Sequence, residues 1–560
     1  MSNKFLKITG ILFNEYVLMG LSMLGAFYLG EYIEGIAIVV FFLVGEFFQE
    51  RAVKRAKKNI RNLIDARPNT ARVLRNNAIE EIPPEHVIIG DILEIRAGES
   101  VPVDGILDVD VALFNTAVLT GESVPRIMHK GGKVLSGMIA SDCAVRITAD
   151  KTYENSAFSR IIEMVQNATE RKAGSEKFIR KFARIYTPLV IFSAALVVAI
   201  PTLAGADFDT WLYRALIFLV ASCPCALVIS IPLGFFGGVG LASRNGILFK
   251  GGNYLDAITH LRTVVFDKTG TLTKGVFEVQ NVEGDVLQAA ASIEKYSNHP
   301  IAKSIVEYAL KHGIYMLEAA DIKEQGGLGL SATIDGTRWL VGNTHLLEIN
   351  GIAYPQEIKS IVETIAVCAC NGKYAGYITV ADEIKNGVKE TISELKNAGI
   401  NTVMLSGDKN AIVEKTARET GIDKWFGELM PDGKVEKLTS LKNAETGKIA
   451  FVGDGINDAP VIAISDIGIA MGGMGSDIAI ETADVVIQTD NPFKVVQAIK
   501  IGRTTGKVVW QNITLSLGVK FIVLLLGVLG LATLWAAVIA DVGVAFLAIF
   551  NASRILGKKV

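Results

Sequence analysis

The stretch VVFDKTGTLTKG, residues 264–275, places an aspartate at the point where an apolar strand ends. The run before Asp267 is typical of a buried strand, and the Thr/Gly turn after it stops that strand. In open parallel sheets, ligands bind beyond the carboxyl ends of the strands, so a carboxylate at that point faces a site. If this stretch stood alone, a polar turn after a buried strand would be the better explanation.

Two further stretches have the same form. VMLSGD delivers Ser406, Gly407 and Asp408, and FVGDGINDAP delivers Asp454, Asn457 and Asp458. Three strand ends that carry carboxylates, together with Lys434 of the PDGK stretch, predict one oxygen-rich pocket suited to Mg²⁺ and a phosphoryl group. A calcium-binding loop is the alternative for DGIND, but the glycine and the final glutamate of that pattern are out of place.

The residues around these stretches predict an α/β domain with a parallel sheet. Apolar strands such as NTVMLSGD and KIAFVGDG alternate with helical stretches such as NGVKETISELKNAG, which is the pattern of βαβ units. We assign this domain to residues 250–275 and 377–505, with residues 276–376 as an inserted domain. Residues 51–176 have the short strands and Gly/Pro turns of a separate β-rich domain.

The composition predicts a membrane protein. Half of the residues are hydrophobic and the mean hydropathy is +0.37, which is high for a soluble protein. Six segments are apolar enough to cross a bilayer, at about 12–30, 33–50, 188–205, 212–234, 513–531 and 533–550. They form three helical hairpins, within residues 1–50, 177–249 and 506–560. The basic stretches RAVKRAKKNIR, EKFIRKFAR and RILGKKV place both large loops and both termini in the cytosol.

The net charge bears on possible partners, and the cysteine content bears on the redox compartment. The net charge of −2 gives no bulk attraction to nucleic acid. Five cysteines form no secreted disulfide framework and fit reduced thiols facing the cytosol. Cys368 and Cys370 fall in a predicted strand, so we interpret them as structural thiols rather than as metal ligands.

The stretch ASCPCALVIS, residues 221–230, breaks an apolar segment at Pro224 and flanks the break with Cys223 and Cys225. Proline kinks a helix and frees backbone carbonyls, which is tolerated at membrane depth where the helix lines a site. Two ionisable residues, Lys520 and Asp541, lie in the last two segments, and such residues are functional by default. The alternatives are that the thiols are ordinary buried groups and that Lys520 extends to the cytosolic interface.

The charges of these side chains discriminate among metals. Two thiolates and the Asp541 carboxylate balance a divalent ion plus the Lys520 ammonium, so Lys520 is predicted to be a counter-ion that stays when the metal leaves. A mixed sulfur and oxygen site suits Zn²⁺ or Cd²⁺, with Pb²⁺ as a further candidate, whereas Cu(I) prefers sulfur alone. Glu34 and Glu46, near the outer and inner ends of the second segment, are candidates for the metal pathway or, alternatively, solvated interface acids.

Together these motifs resemble those of the P-type ATPases. DKTGTLT, SGD and GDGINDAP, with TGES at residues 120–123, occur in that family's order, and the resemblance covers essentially the whole chain. It implies a helical membrane bundle with three cytosolic domains. These are a β-rich actuator domain at 51–176, a Rossmann-like (haloacid-dehalogenase-like) phosphorylation domain, and an α+β nucleotide-binding domain at 276–376.

The resemblance also implies roles for individual residues. Asp267 is expected to be phosphorylated by ATP, with Mg²⁺ held by Asp267, Thr269 and Asp454. The other expected catalytic residues are Lys268, Ser406, Lys434 and Asp458, with Thr120, Gly121 and Glu122 acting in the hydrolysis of the aspartyl phosphate. The expected nucleotide-binding residues are Glu294, His299, Gly327, Gly329 and Asp408.

The second residue after Asp267 favours a pump over a phosphatase with the same sheet. Related phosphatases carry a second acid at that position, where this chain has Thr269. Without a general acid or base beside it, the aspartyl phosphate should hydrolyse slowly until Glu122 arrives from another domain. A slow intermediate is what coupling to transport needs.

The Cys-Pro-Cys stretch with Lys520 and Asp541 resembles the zinc/cadmium branch of the heavy-metal P-type ATPases. The Tyr-Asn and Met-Ser pairs of the copper branch and the Ser-Pro-Cys of the cobalt branch do not stand in these places. Members of this family usually have two more membrane helices and a Cys-bearing domain before the pair that comes first here. With six helices, the step in question is the uptake of metal from the cytosol. We expect a monomeric plasma-membrane pump that exports Zn²⁺ or Cd²⁺. The alternatives are a Cu(I) pump and a membrane-tethered phosphohydrolase.

Overall fold

The computed structural model describes most of the chain. The described residues are 15–64, 70–75, 78–116, 125–159, 174–222, 225–297, 299–325, 328–444, 446–454, 458–472 and 481–558. Within them, side chains are described except at residues 15–16, 48–49, 52–64, 174–185, 225, 276, 300 and 360.

The described chain begins with a helical hairpin. Helix α1 (Glu15–Tyr28) is followed at once by α2 (Tyr32–Ile64). Gly30, at a φ of +79°, makes the tight turn between them possible, because only glycine adopts that conformation without strain. The first half of α2 is apolar and its second half carries the basic residues that were predicted to face the cytosol.

A β-rich domain follows the hairpin. Its strands are β1 (Ala71–Arg75), β2 (Ala78–Ile82), β3 (Ile92–Ile95), β4 (Gly105–Leu107), β5 (Val111–Asn115), β6 (Arg126–His129), β7 (Lys133–Val134), β8 (Ile139–Ala140) and β9 (Val145–Ala149). They form a six-stranded sheet in the order β2-β1-β3-β9-β4-β7 and a three-stranded sheet in the order β6-β5-β8. Alternate side chains such as Val73, Phe114 and Ile147 are fully buried between them.

Three helices come next: α3 (Gly174–Leu203), α4 (Phe208–Ala221) and α5 (Cys225–Arg244). Asp207 caps α4 by accepting the backbone N–H of Thr210. α4 ends at Ala221, just before the Cys-Pro-Cys stretch, and α5 begins at Cys225. Pro224 itself, and therefore the predicted kink, lies outside the described residues.

The chain then enters the α/β domain. Strand β10 (Ile247–Phe249), helix α6 (Gly252–Ala257) and strand β11 (Leu261–Asp267) lead to the first aspartate motif.

The inserted domain is built on one antiparallel sheet, in the order β12-β17-β16-β15-β14-β13. Its elements are β12 (Thr273–Glu283), α7 (Leu287–Glu294), α8 (Pro300–Lys311), β13 (Ala320–Gln325), β14 (Gly329–Ile334), β15 (Thr337–Gly342), α9 (Thr344–Ile349), β16 (Thr364–Cys370) and β17 (Lys373–Ile384). The expected limits of 276 and 376 therefore cut through two strands. β12 pairs with β17 from Thr273 opposite Ile384 to Glu283 opposite Tyr377, so both belong to the insert's sheet.

The α/β domain resumes after β17. Its elements are α10 (Val388–Asn397), β18 (Asn401–Leu405), α11 (Asn410–Thr420), β19 (Lys424–Phe426), α12 (Pro431–Ala444), β20 (Lys448–Gly453), α13 (Ala459–Ile464), β21 (Ile467–Met471) and β22 (Val485–Ile487). The seven strands are ordered β10-β22-β21-β20-β11-β18-β19, and helices cover both faces.

The sheet differs from the expectation at one edge. β10 pairs antiparallel with β22, whereas the other strand pairs are parallel. The sequence analysis placed residues 247–249 in a membrane hairpin, but all three are buried in this sheet. The chain leaves α5 directly into β10, which covers the open edge of β22.

Two long helices end the chain, α14 (Phe493–Val528) and α15 (Leu534–Ser553). The expected boundary at 505/506 falls inside α14, which runs without a break from the α/β domain into the helical bundle. Gly238 of α5 packs so closely on α14 that a Cβ there would lie 2.4 Å from the Thr505 hydroxyl. α14 is therefore packed closely against α5 at Thr505.

Among the described residues, four helical stretches are long and apolar enough to cross a membrane. They are Tyr186–Leu203, Phe208–Arg244, which includes both α4 and α5, Phe493–Val528 and Leu534–Gly557. Val17–Tyr28 is a shorter apolar helix. The multi-pass bundle is thus confirmed for these stretches, whereas crossing by the first hairpin stays a prediction.

Candidate active site and metal pathway

Asp267 is the last residue of β11, at the centre of the sheet. β11 lies between β18 and β20, and all three strands run in parallel, so their carboxyl ends lie at one edge. Ser406 follows β18 and Asp454 follows β20, as the sequence predicted. Asp267 and Ser406 are almost completely buried. The structure therefore brings the three motifs together.

Lys434 joins two of the predicted carboxylates. Its Nζ lies 2.6 Å from Oδ1 of Asp267 and 2.8 Å from Oδ1 of Asp458. Burial, with the nearby Asp458 charge, raises the pKa of Asp267 to about 7, and the Lys434 ammonium opposes that rise. The ammonium is thus the described group that favours the ionised, nucleophilic form of Asp267.

The loop after Asp267 lies against Asp454. Gly270 has a φ of +76°, and a Cβ there would lie 3.0 Å from Oδ2 of Asp454. Asp267, Asp454 and Thr269 offer only oxygen atoms, which are the ligands that Mg²⁺ prefers, so these residues fit a magnesium ion. Thr271 of the same loop has a buried hydroxyl without a hydrogen-bond partner among the described residues.

Lys268 faces the opposite way from Lys434. Its ammonium lies 2.5 Å from Asp408 and 3.9 Å from Asp382. Asp382 also accepts the Thr273 hydroxyl at 2.5 Å and the Gly275 backbone N–H at 2.9 Å. The Asp382 carboxylate therefore holds the loop that carries the aspartate motif.

Asp382 and Lys385 are site residues that the sequence analysis missed. Lys385 donates to the Gly270 carbonyl and lies 2.6 Å from Asp490. Both lie at the end of β17, where the chain returns from the insert. The available signal was the sequence ADEIK at the end of an apolar strand, but its pairing partner β12 lies about a hundred residues earlier.

Three predicted nucleotide-binding residues share one cavity in the inserted domain. Glu294, His299 and Gly329 line a space of about 290 Å³. Gly329 has a φ of +142°, and a Cβ there would lie 2.2 Å from the Val341 carbonyl, so only glycine permits this approach of β14 to β15. Gly327 lies outside the described residues.

Glu294 is buried at the end of α7. Burial, with a smaller effect from Glu324, raises its pKa to about 7. Nearby, Nδ1 of His299 accepts the backbone N–H of Ile301 at 3.3 Å, which caps α8.

A second cavity, of about 440 Å³, lies between the insert and the α/β domain. Its lining includes Lys268, Asp382 and Asp408, and Thr364 lines both this cavity and the first. An ion pair between Glu363 of the insert and Lys415 of α11 closes one side. The cavities extend from the predicted nucleotide site to the aspartate motif.

Lys520 and Asp541 form a buried ion pair in the helical bundle. Nζ of Lys520 lies 2.5 Å from Oδ1 of Asp541 and 3.1 Å from the carbonyl of Ala221. Ala221 ends α4, two residues before Cys223. The structure thus brings the pair to the Cys-Pro-Cys stretch, and it does not show the alternative in which Lys520 extends to the interface.

Cys223 lies outside the described residues, and the side chain of Cys225 is not described. Among described side chains, no group of three or more His, Cys, Asp or Glu residues is arranged to hold a metal. Cys368 is buried in β16 and Cys370 lies partly buried beside it, in agreement with structural thiols.

The two predicted pathway glutamates lie in different surroundings. Glu46 and Asp541 line one small cavity of about 30 Å³ between α1, α2 and α15. Glu34 accepts a hydrogen bond from Tyr213 of α4 at 3.0 Å. Thr120, Gly121 and Glu122 of the β-rich domain lie outside the described residues.

Comparisons with known proteins agree with this architecture. Residues 261–466 match the haloacid dehalogenase-like hydrolase family, and residues 65–166 match the P-type ATPase actuator domain. A crystal structure of a zinc-transporting PIB-type ATPase in the E2.Pi state is similar, with a TM-score of 0.66 and 34% identity over 99% of this chain and 92% of that one.

Two curated relatives extend over nearly the whole chain. A zinc-transporting ATPase of Synechocystis is 46% identical over 559 residues, which are 98% of this chain and 77% of the relative. A cadmium, zinc and cobalt-transporting ATPase of Bacillus subtilis is 46% identical over 565 residues, which are 99% of this chain and 80% of the relative. The chain therefore belongs to the heavy-metal-transporting P-type ATPases, in their zinc/cadmium branch.

Proposed function

We propose that this ATPase exports Zn²⁺ or Cd²⁺ from the cytosol through a phosphorylated intermediate on Asp267. The observation that carries this proposal is the buried Lys520–Asp541 pair beside the Cys-Pro-Cys stretch. Buried ionisable groups in a membrane bundle are costly and serve ion pathways. The names of the two curated relatives support zinc and cadmium as substrates, whereas Pb²⁺ rests on ligand chemistry alone.

Asp267 is the proposed nucleophile. A carboxylate oxygen attacks the γ-phosphorus of ATP, the bond from that phosphorus to the β–γ bridging oxygen breaks, and ADP leaves. Lys434 favours the ionised form of Asp267 and would place a positive charge beside the phosphoryl group. Ser406 and Thr269 supply hydroxyl groups at the same edge of the sheet. Mg²⁺, when bound, neutralises phosphoryl charge at Asp267, Thr269 and Asp454.

ATP is proposed to reach Asp267 through the two cavities. The adenine would occupy the space lined by Glu294, His299 and Gly329, and the phosphates would extend past Lys268 and Asp408. Lys268 and Asp408 neutralise each other in this structure, so the ammonium can exchange Asp408 for a phosphate without leaving the cleft.

Hydrolysis of the aspartyl phosphate is proposed to wait for the β-rich domain. Thr269 cannot act as the general acid or base that phosphatases carry at that position. Glu122, with Thr120 and Gly121, would position the attacking water after that domain moves. The delay keeps the intermediate alive while the metal crosses.

The transported metal is proposed to bind Cys223, Cys225 and Asp541. Two thiolates and one carboxylate balance a divalent ion plus Lys520, so the full site is neutral. The Lys520 ammonium donates to the Asp541 carboxylate in this structure, so that carboxylate has a counter-ion of its own. Glu46, which shares a cavity with Asp541, would receive the ion from the cytosol, and Glu34 would pass it outward.

We propose that the protein acts as a monomer in the plasma membrane.

The test is ATP hydrolysis by the purified protein in lipid, with Zn²⁺, Cd²⁺, Pb²⁺, Co²⁺ and Cu(I) compared. Cys223→Ala and Asp541→Ala should abolish stimulation by Zn²⁺ and Cd²⁺. The matched controls, Cys370→Ala in the insert and Asp209→Ala at the exposed start of α4, should retain it. Hydrolysis indifferent to every metal would instead favour a membrane-tethered phosphohydrolase.

A further inference from the structure

The hydroxyl of Tyr213 joins three helices of the bundle. It donates to the Glu34 carboxylate, whose oxygens lie 3.0 and 3.3 Å away, and it accepts the backbone N–H of Leu534 at 3.4 Å. Tyr213 lies in α4, Glu34 lies in the first turn of α2, and Leu534 is the first residue of α15. The hydroxyl thus donates to one helix and accepts from another.

These contacts hold Glu34 beside a helix N-terminus. The first N–H groups of α15 have no partner within the helix, and that end carries partial positive charge. Thr533 caps α15 by accepting the backbone N–H of Ala536 at 3.2 Å. Through Tyr213, whose hydroxyl oxygen accepts the Leu534 N–H, the Glu34 carboxylate is linked to the start of α15.

The neighbouring residue fixes the position of Tyr213. Arg214 donates to the carbonyl of Val528, the last residue of α14, at 3.1 Å, and its guanidinium lies 4.5 Å from the centre of the Trp211 ring. A Cβ on Gly530 would lie only 2.6 Å from that guanidinium, so the α14–α15 turn is closely packed on α4. The start of α4 is thereby fixed against both α14 and α15.

We infer that Tyr213 is a positioning residue for metal release: it competes with the outgoing divalent cation for the carboxylate of Glu34. This inference rests on the proposed export function. A carboxylate that already accepts a phenolic hydrogen bond has fewer lone pairs free for a metal. Release then ends with Tyr213 recapturing Glu34, so the ion does not stay at the outer end of the pathway.

The exposed Glu31 explains why such competition is needed. It lies three residues before Glu34, at the same end of α2. Carboxylate oxygens are ligands for Zn²⁺, so a second carboxylate close in sequence to Glu34 would favour retention of the outgoing ion at this end. The hydrogen bond from Tyr213 occupies one of these two carboxylates, that of Glu34.

The experiment measures inhibition of ATP hydrolysis by zinc inside sealed proteoliposomes whose cytosolic domains face outward. Tyr213→Phe should lower the lumenal zinc concentration for half-inhibition by about tenfold, the effect of losing one charge-assisted hydrogen bond. Glu34→Gln should raise that concentration, and the double variant should match Glu34→Gln alone. Tyr32→Phe is the matched control, because Tyr32 is 62% exposed at the same end, and it should behave as the wild type.

The outcomes separate this inference from the proposed function. A wild-type protein without zinc-stimulated hydrolysis would overturn both. The inference alone would be overturned if zinc stimulates the wild type but Tyr213→Phe leaves the lumenal zinc concentration for half-inhibition unchanged. It would also be overturned if the Tyr213→Phe effect persists in the Glu34→Gln background. A loss of turnover that does not depend on lumenal zinc would mean that Tyr213 only supports packing, which also overturns it.

Discussion

At the scale of single residues, three lysines of the two sites each lie against a carboxylate. Lys434 lies between Asp267 and Asp458, Lys268 reaches Asp408, and Lys520 reaches Asp541. Removing one partner of a buried pair leaves an uncompensated charge, which costs more than the pair contributes. The catalytic edge of the sheet therefore depends strongly on its lysines.

Replacing Lys434 tests this dependence. Lys434→Ala should slow phosphorylation of Asp267 by about a hundredfold or more, since it removes the charge that keeps the nucleophile ionised and that stabilises the transferring phosphoryl group. The measurement is the rate of phosphoenzyme formation from radioactive ATP. Lys437→Ala, one turn along α12, is the control and should phosphorylate normally.

Glu294 gives the nucleotide-binding domain a pH-dependent stability. Because burial raises the pKa of Glu294 from an ordinary 4.5 to about 7, the unfolded chain ionises at a lower pH than the folded one. The folded state therefore carries no penalty below pH 4.5, loses stability between pH 4.5 and 7, and carries the full penalty above pH 7. Glu294→Gln should therefore increase the free energy of unfolding by on the order of 1–3 kcal/mol at pH 8, and so raise the Tm there, with little effect at pH 4.5. Thermal unfolding at both pH values checks this. An equal gain at both, or the same gain in the exposed control Glu307→Gln, would contradict it.

At the scale of elements, the sequence predicted the site residues that directly follow a strand. It did not predict those that come close only because elements distant in sequence pack together. Asp267, Ser406 and Asp454 each follow an apolar run, and parallel strands align their ends, so the motif could be read directly. Asp382 reaches Thr273 across 109 residues because β17 returns beside β12. Tyr213 reaches Glu34 across 179 residues by helix packing. Neither contact leaves a local pattern.

The contact of β14 with β15 makes a prediction at this scale. Gly329→Ala should destabilise the inserted domain and weaken ATP binding about tenfold or more, because its Cβ would overlap the Val341 carbonyl. Gly336→Ala is the control, since its φ of +72° is also positive but the space around it is open. Nucleotide binding by calorimetry distinguishes the two, and equal losses would point to backbone strain rather than to the close approach.

At the scale of the whole molecule, one helix connects the chemistry to the membrane. α14 begins beside the sheet that carries Asp267 and runs unbroken to Lys520 and beyond. A movement of the α/β domain can therefore be transmitted to the Lys520–Asp541 pair without passing through a flexible loop. This continuity could not be predicted from the sequence, because the apolar segment that predicts the membrane crossing begins well inside the helix.

We propose that this connection acts on Lys520, which lies in the same helix. Lys520→Met should leave Asp541 buried without a counter-ion and should retain metal after dephosphorylation, so that zinc-stimulated hydrolysis falls by at least about tenfold. Lys507→Met, earlier in α14, is the control. Stimulation unchanged by Lys520→Met would mean that the pair does not take part in transport.

The most direct test of the account is ATP-driven accumulation of zinc in sealed proteoliposomes whose cytosolic domains face outward. We expect the wild type to accumulate zinc in the lumen, and we expect Asp267→Asn and Asp541→Ala each to abolish accumulation, the first because no phosphoenzyme forms and the second because the metal site is lost. Accumulation by Asp541→Ala at the wild-type rate, or ATP hydrolysis by the wild type with no zinc moved, would contradict the claim that phosphorylation of Asp267 drives metal through the site beside the Cys-Pro-Cys stretch.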